Sequence, residues 1–209
     1  MKPKDRIRNS LKEFVEPRLV RLGFAFRESS LTFVRKNGVF IQKIDSHLNR
    51  YNYEDFSARF YFSFSVRSNY YVKWHQKEFG EKPTNNSVAG EMYWNLKGWQ
   101  HAEPDVALEE NVEREMLQLL DDTLSVGLPF LEQHSDWENA AIRLVNARWF
   151  HAKACDFFKI AGDVEKAHWC LEKAIDDWDK QPNRSFFVGE KEEVKLRFEK
   201  FFGENPSIE

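Results

Sequence analysis

FSARFYFSFSV, residues 56–66, is the stretch of sequence that decides the fold. Apolar and polar residues alternate along it, with Tyr61 as the one ring among the polar positions. Successive side chains of a strand point to opposite faces of a sheet, so the alternation predicts one long strand with one buried face. The side chains expected on that buried face are Phe56, Ala58, Phe60, Phe62, Phe64 and Val66. The opposite face is then either solvent-exposed surface or a platform that binds something.

The residues before this strand predict a helix and a β-hairpin. Apolar residues recur at helical spacing from Ile7 to Leu22, and Gly23 ends the pattern. Pro17 lies inside it, so we expect two short helices or a kink. The runs LTFVRK and VFIQKID are joined by Asn37-Gly38, which predicts a two-residue turn because both turn positions need positive φ.

A fourth strand is predicted after the decisive stretch. EKPTNNSVAG, residues 81–90, is rich in turn-forming residues and predicts a loop. MYWNLKGW, residues 92–99, predicts a strand with Met92, Trp94 and Leu96 on one face. The first half of the chain is therefore expected to be an N-terminal helix followed by a four-stranded antiparallel meander sheet.

The pattern becomes helical from Pro104 onward. Proline followed by acidic residues is typical of a helix N-terminus, so we expect a helix to begin at Pro104. Ser135-Asp136-Trp137-Glu138 fits a capping box, with the serine as cap, at the start of a long helix that runs to about Ala161. Gly162-Asp163 breaks it, and two more helices follow. The predicted class is α+β with an all-helical C-terminal half, in domains 1–103 and 104–209 or as one continuous domain.

The composition is that of a soluble globular protein. The 209 residues are 42% hydrophobic and 31% charged, which excludes a disordered chain. Aromatic residues reach 15%, so the core is expected to be rich in rings. No run is long enough to span a membrane, MKPKDRIRNS lacks the apolar core of a signal peptide, and two cysteines give no disulfide framework. These features predict a cytoplasmic protein with no membrane partner.

Charge is unevenly placed along the chain although its net value is −3. Residues 1–75 carry 15 Lys and Arg against 7 Asp and Glu, whereas residues 76–209 carry 16 against 27. The positive charges are spread along the sequence rather than clustered. We therefore expect that the two halves attract each other or that the charged faces are solvated. A basic first half that faces an anionic partner is the alternative.

FHAKACDFFKIAGDVEKAHWCLEKAIDD, residues 150–177, resembles a single tetratricopeptide-type helical hairpin. The residues that carry the resemblance are Ala154, Cys155, Phe158, the turn Gly162-Asp163, and then Ala167, Leu171 and Ala174. Asp179 stands where the closing proline of such a repeat is expected, and Pro182 comes three residues later. One repeat does not form a solenoid with a binding groove, so an antiparallel helix pair packed as core is the simpler interpretation.

RLGF at the end of the first helix, the hairpin LTFVRKNGVFIQKI and the strand FSARFYFSFSV together resemble an uncharacterised bacterial family, a domain of unknown function. The resemblance covers about residues 5–135. Related families occur among bacterial toxin–immunity proteins, so the resemblance implies binding of a partner rather than catalysis. It implies no catalytic residues.

Motifs for the common catalytic and cofactor chemistries do not occur in the sequence, which has no GxGxxG, GxxxxGK, GxSxG or HExxH. His151 and Cys155 share a helix face, and His168 and Cys170 lie on the next helix. Histidine and cysteine side chains are zinc ligands, so these four residues are candidates for a zinc site. We expect both cysteines to pack as small apolar residues instead. No metal and no cofactor is predicted.

His47 is the candidate for acid–base chemistry. Asp45 precedes it at a strand end, and Glu54 and Asp55 stand before the next strand. A histidine oriented by a carboxylate is suited to act as a general base. The sequence assigns it no nucleophile and no oxyanion donor, so a hydrolytic enzyme is the third hypothesis for the function.

The outward face of the decisive strand is a candidate binding surface. Arg59, Tyr61 and Arg67 are expected to point outward, and neighbouring strands are expected to add Arg35, Gln42 and Tyr93. Basic and aromatic residues on an open sheet resemble platforms for single-stranded nucleic acid, but Tyr61 is the one ring that the sequence places clearly. Nucleic-acid association through the basic first half is the runner-up for the function.

Aromatic residues in the connecting segments favour contact with another protein. The rings concerned are Tyr51, Tyr53, Tyr70, Tyr71 and Trp74. Tyrosine and tryptophan beside a rigid sheet offer large contact area with little side-chain entropy to lose. We therefore predict a non-enzymatic, immunity- or inhibitor-like module that binds another protein through residues 49–75, with Arg59 and Tyr61 included in the contact region.

Overall fold

An antiparallel sheet of five strands lies in the N-terminal part of the chain in the computed structural model, which describes residues 1–97, 103–180, 188–204 and 206. The strands are β1 Ala25–Arg27, β2 Thr32–Asn37, β3 Phe40–Leu48, β4 Phe60–Arg67 and β5 Ser87–Met92. Their order in the sheet is their order in the chain, so the predicted α+β class and antiparallel meander are confirmed. The predicted number of four strands is wrong, because β1 adds an edge strand to β2.

Helices precede, interrupt and follow the sheet. Their bounds are α1 Pro3–Ser10, α2 Glu16–Arg21, α3 Asn69–Phe79, α4 Tyr93–Lys97, α5 Glu109–Asp122, α6 Leu128–Gln133, α7 Trp137–Asn146, α8 His151–Ala161, α9 Val164–Asp179 and α10 Val188–Phe202. Two π-helical turns, Leu11–Val15 and Thr123–Gly127, join α1 to α2 and α5 to α6. Among the described residues, no helix has both the length and the apolar character needed to cross a bilayer.

The alternation in β4 is confirmed along the strand itself. Phe60, Phe62 and Phe64 are completely buried on its inner face. Phe56 was expected to share that face, and this is wrong: β4 begins at Phe60, and the ring of Phe56 is 84% exposed. The chain turns before the strand starts, with Asp55 in the left-handed conformation at φ +66°. The alternating sequence pattern therefore begins before the first residue of the strand.

The hairpin between β2 and β3 is confirmed with its turn shifted by one residue. Asn37 pairs with Phe40, so the two turn residues are Gly38 and Val39. Gly38 has φ +58° and Val39 is not in the positive-φ region, which is the pattern of a type II′ turn, where the first turn residue alone needs positive φ.

The predicted fourth strand is wrong. β5 is formed by Ser87–Met92, most of which was expected to be loop, and residues 93–97 turn into the short helix α4. Residues 98 and 99 of the predicted strand lie outside the described residues. Tyr93 is buried, and its hydroxyl donates a hydrogen bond to the carboxylate of Asp122 in α5, so a distant partner fixes the bend.

Each π-helical turn lies directly before a proline near the start of the next helix. The amide of Glu16 donates to the Leu11 carbonyl before Pro17, and the amide of Leu128 donates to the Thr123 carbonyl before Pro129. A proline ring clashes with the carbonyl four residues earlier, and the wider turn moves that carbonyl away. The disturbance expected at Pro17 takes this form.

The core of the first part lies between the inner face of the sheet and the N-terminal helices with α5 and α6. Ile7, Leu11, Val15 and Leu19 form the fully buried stripe of the N-terminal segment. Gly127 lies against the ring of Phe64 in the middle of β4. Helical elements therefore cover the inner face, and the phenylalanines of β4 are enclosed.

Two helix starts in the second half differ from the predictions. α5 begins at Glu109 rather than Pro104, because Asp105 forms a β-bridge to Arg59 instead. The cap of α7 is Asp136, whose side chain accepts from the Asn139 amide. Ser135 donates its hydroxyl to the Leu131 carbonyl and is engaged there.

The long helix expected up to about Ala161 is two helices. α7 ends at Asn146 and α8 begins at His151, and Arg148 and Phe150 between them are left-handed. α8 and α9 form the predicted helix pair, with Gly162 at φ +86° in the turn. Its likeness to a tetratricopeptide repeat stays a prediction, and Pro182 lies outside the described residues.

The chain divides into two compact units, Met1–Ser135 and Asp136–Glu209. The first contains the sheet with the helices up to α6, and the second contains α7 to α10. Compactness does not test where an independently folding domain ends, so the predicted boundary between residues 103 and 104 stays a prediction.

Candidate protein-binding site

The loop of residues 49–59, which we call the aromatic loop, joins β3 to β4 and displays three large rings. Tyr51 is 63% exposed, Tyr53 68% and Phe56 84%. Single exposed apolar side chains are common on protein surfaces, but contiguous exposed apolar patches mark interaction sites. Three such rings within six residues of one loop make it the clearest candidate for a contact surface.

Asparagine side chains fix the two ends of the aromatic loop. The side-chain amide of Asn52 pairs with the backbone of Arg59 on both sides: its Nδ2 donates to the Arg59 carbonyl at 2.8 Å, and its Oδ1 accepts from the Arg59 amide at 2.7 Å. Oδ1 of Asn49 accepts from the Tyr51 amide at 2.8 Å. The loop backbone is therefore held by hydrogen bonds that do not involve the three rings.

A tight turn at residues 53–57 presents Phe56. The Ser57 amide donates to the Tyr53 carbonyl at 3.1 Å, and Ser57 Oγ accepts from the Tyr53 amide at 3.1 Å and donates to the Tyr51 carbonyl at 3.2 Å. Asp55 takes the left-handed conformation at the tip, which aspartate tolerates better than most residues. Its carboxylate pairs with Arg6 of α1 at 3.0 Å.

Asp105 ties the end of the aromatic loop to the segment before α5. Its carboxylate accepts from the Ala58 amide at 2.9 Å and from Arg59 Nε at 3.0 Å. Burial raises the pKa of Asp105, but the hydrogen bonds from Ala58, Arg59 and Ala107 outweigh burial and leave the pKa below its usual value. The group is therefore ionised at neutral pH, and it anchors the loop electrostatically as well as by hydrogen bonds.

The structure separates the predicted contact residues into two groups. Tyr51, Tyr53 and Arg59 lie in the aromatic loop before β4, whereas Tyr70, Tyr71 and Trp74 lie on α3 after it. A strand of this length spans about 24 Å, so residues 49–75 are not one continuous surface.

The three rings on α3 differ in exposure. Tyr70 is exposed, Trp74 is half-buried with its ring edge-on to Phe79, and Tyr71 belongs to the core. Arg59 is exposed but paired with Asp105. Tyr61 lies half-buried on the outer face of β4, as predicted for an outward position.

Phe56 is the candidate contact residue that sequence reasoning missed. The alternating pattern assigned it to the core, although Asn52, Glu54 and Asp55 just before it are residues that favour turns or exposure. That turn chemistry is the signal that would have ended the strand pattern before Phe56.

The side chains of Arg35, Gln42 and Tyr93, which were expected on the outer face, lie inside, and Arg35 shares the inner face with its strand partner Gln42. Gln42 is fully buried, donates to the Leu131 carbonyl at 3.1 Å and Ser135 Oγ at 2.8 Å, and accepts from Arg35 Nε at 2.7 Å. Tyr93 is buried against Asp122. These residues stabilise the packing of helices on the inner face and are not available to a ligand on the outer one.

His47 has a hydroxyl neighbour that the sequence did not reveal. Its Nε2 lies 2.8 Å from Ser63 Oγ on the adjacent strand, and its ring stacks on Tyr61. In the described part of the chain, no carboxylate hydrogen-bonds to the other ring nitrogen. Asp45 instead accepts from Thr32 and Lys43. A nucleophile and base are adjacent on an open face, without the orienting acid that a hydrolytic triad uses.

The histidines and cysteines considered for zinc are engaged elsewhere. Cys155 and Cys170 are fully buried in the α8–α9 pair, and His151 lies 3.4 Å from the carboxylate of Asp177. His168 contacts Glu204. The residues that the structure describes contain no group of three or more metal-ligating side chains suited to hold an ion.

Comparison with protein-family models, with curated proteins and with solved structures finds no match to this chain. The resemblance to an uncharacterised bacterial family therefore stays a prediction. The functional interpretation depends on the geometry described above.

Proposed function

We propose that the protein is a non-enzymatic binding module that contacts another protein through the aromatic loop. The observation that carries the proposal is the exposure of Tyr51, Tyr53 and Phe56 on a backbone held by Asn52, Ser57 and Asp105. An immunity- or inhibitor-like role in a bacterial cytoplasm is the form of this proposal that the sequence resemblance supports.

The physical basis is preorganisation. A loop that is already ordered loses little conformational entropy on binding, and rigid rings supply contact area with few rotatable bonds. Aromatic residues dominate interface hot spots, where truncation of one side chain costs about 2 kcal/mol or more. The ring with the greatest exposure, Phe56, is expected to enter an apolar pocket of the partner.

Photo-crosslinking identifies the partner. A photoreactive phenylalanine analogue is placed at Phe56 in cells of the natural host, and at Val20 on α2 as an exposed control position away from the aromatic loop. We expect a discrete adduct from position 56 and none from position 20. Adducts of the same size and yield from both positions would contradict a specific site in the loop.

Affinity measurements with the purified partner then test each ring. Phe56→Ala and Tyr53→Ala are expected to weaken binding about 30-fold, equivalent to about 2 kcal/mol each, and Val20→Ala is expected to leave it unchanged. Asn52→Ala keeps all three rings but releases Arg59, so it is expected to increase the dissociation rate. Unchanged affinity in Phe56→Ala, Tyr53→Ala and Tyr51→Ala would refute the loop as the site.

A further inference from the structure

A row of three rings lies at one end of the outer sheet face. The ring of His47 on β3 stacks on Tyr61 of β4, with centroids 5.1 Å apart, and the ring of Trp94 meets Tyr61 edge-on at 4.7 Å. Each of the three is partly exposed. The sequence placed Tyr61 alone clearly on this face, whereas the structure adds His47 and Trp94 in contact with it.

Unpaired cations lie on the same face. Strand register puts Arg27, Lys36 and Arg67 at outward positions of β1, β2 and β4, and all three are exposed. None of them forms an ion pair or side-chain hydrogen bond with the described residues. Asp45 is the one carboxylate at the outward positions of the strands, and Lys43 at 2.9 Å neutralises it.

Small side chains separate the rings from the cations. Ser63 and Ser65 of β4 and Gly90 of β5 are neighbours at outward positions in the middle of the face. The seven residues from Tyr61 to Arg67, which are six steps along the strand, span about 20 Å. The outer face thus carries rings at one end, small side chains in the middle, and positive charge along its edge and at the other end.

We propose that this outer face binds single-stranded nucleic acid, with bases stacked on Tyr61 and Trp94 and phosphates beside Lys36 and Arg67. Rings bind bases of any sequence through their π-faces, and a cationic groove follows the backbone. The distance from Tyr61 to Arg67 suits about four nucleotides, the lower end of the range for single-stranded binding folds. This function is separate from protein binding by the aromatic loop.

Fluorescence anisotropy with labelled U8 RNA and T8 DNA tests the proposal. Both octamers are expected to bind at low salt, and Tyr61→Ala is expected to weaken binding about tenfold. The surface variant Lys36→Gln/Arg67→Gln keeps the core intact and is expected to lower the slope of log affinity against log salt by about 1.4. Arg18→Gln, an exposed cation on α2, is the matched control and is expected to change neither quantity.

Four results would overturn the proposal: no binding of either octamer at low salt, an unchanged salt slope in Lys36→Gln/Arg67→Gln, an equal effect of Arg18→Gln, or displacement by polyglutamate as effective as by oligonucleotide. The last would mark the face as a site for acidic protein. Phe56→Ala is expected to retain oligonucleotide binding, so failure of this proposal and failure of the aromatic-loop proposal are distinguishable.

Discussion

Replacing Gly127 by alanine is expected to destabilise the protein, although the same change usually stabilises a helix. Gly127 ends the π-helical turn Thr123–Gly127 and lies against the fully buried ring of Phe64. A Cβ atom at this position would lie 2.3 Å from Cε1 and 2.5 Å from Cζ of that ring. Ordinary contacts begin near 3.4 Å, so the ring or the helix must move by about 1 Å in a close-packed core.

Two opposing effects set the size of the loss. Alanine in place of glycine gains about 1 kcal/mol in a helix, whereas overpacking a core costs about 1–3 kcal/mol. The cost lies at the upper end here, because Phe64 is enclosed in the middle of the sheet. The free energy of unfolding is therefore expected to fall by about 2 kcal/mol.

Urea denaturation followed by circular dichroism measures this loss, and hydrogen exchange of β4 amides assigns it to the sheet. Gly189→Ala is the matched control, since its new methyl group would meet open space, and this change in α10 is expected to leave the free energy of unfolding unchanged or to raise it by up to about 1 kcal/mol. Phe64→Leu removes the obstructing ring atoms, so Gly127→Ala and Phe64→Leu together are expected to cost about 1 kcal/mol less than their sum. A Gly127→Ala protein at least as stable as the wild type, or strict additivity with Phe64→Leu, would refute the close packing of this helix turn on the sheet.

Three further predictions concern buried polar groups. Asp156 accepts two hydrogen bonds of 3.0 and 2.9 Å from Arg197 in the core of the second unit. Asp156→Leu leaves the buried charge of Arg197 without this partner and is expected to lower the free energy of unfolding by about 3–5 kcal/mol. Adding Arg197→Met is expected to recover part of that loss, as measured by thermal unfolding. Burial lowers the pKa of His151 against the opposing effect of Asp177, so below about pH 6.5 the unfolded chain takes up a proton that the folded chain does not. Stability is then expected to fall as pH falls from 7 to 5, and His151→Gln should flatten this slope in urea titrations; an unchanged slope would contradict the assignment. Gln42→Leu leaves Arg35 Nε without its acceptor, whereas the Leu131 carbonyl keeps its donors from Ser135. The change is expected to cost about 1–3 kcal/mol, and an unaffected midpoint would show that the hydrogen bonds of the Gln42 side chain contribute nothing.

The sequence predicts most of the elements whose pattern is local and repeated. The burial of Phe60, Phe62 and Phe64 follows from alternation, and the hairpin follows from Gly38, whose φ of +58° glycine adopts without steric cost. The exposure of Tyr51 and Tyr53 also agrees with their position in a connecting loop. These features depend on neighbours within a few residues.

Where partners are distant in sequence, the local pattern misleads. Phe56 continues the alternation of β4, yet the strand begins four residues later, next to backbone atoms held by Asp105. Residues 93–97 have a strand-like composition but form a helix, whose first residue, Tyr93, is buried and donates its hydroxyl to Asp122. Neither partner is identifiable from the segments themselves.

The sequence by itself determined that this chain is α+β, that β4 has one buried face, and that the loop between β3 and β4 carries aromatic rings, because side-chain period and turn chemistry are properties of short segments. Tertiary structure alone decided which rings reach solvent, where β4 starts, and that His47, Tyr61 and Trp94 meet on one face. The physical reason is that strand register, and hydrogen bonds between residues tens of positions apart, bring groups together only once the sheet has formed.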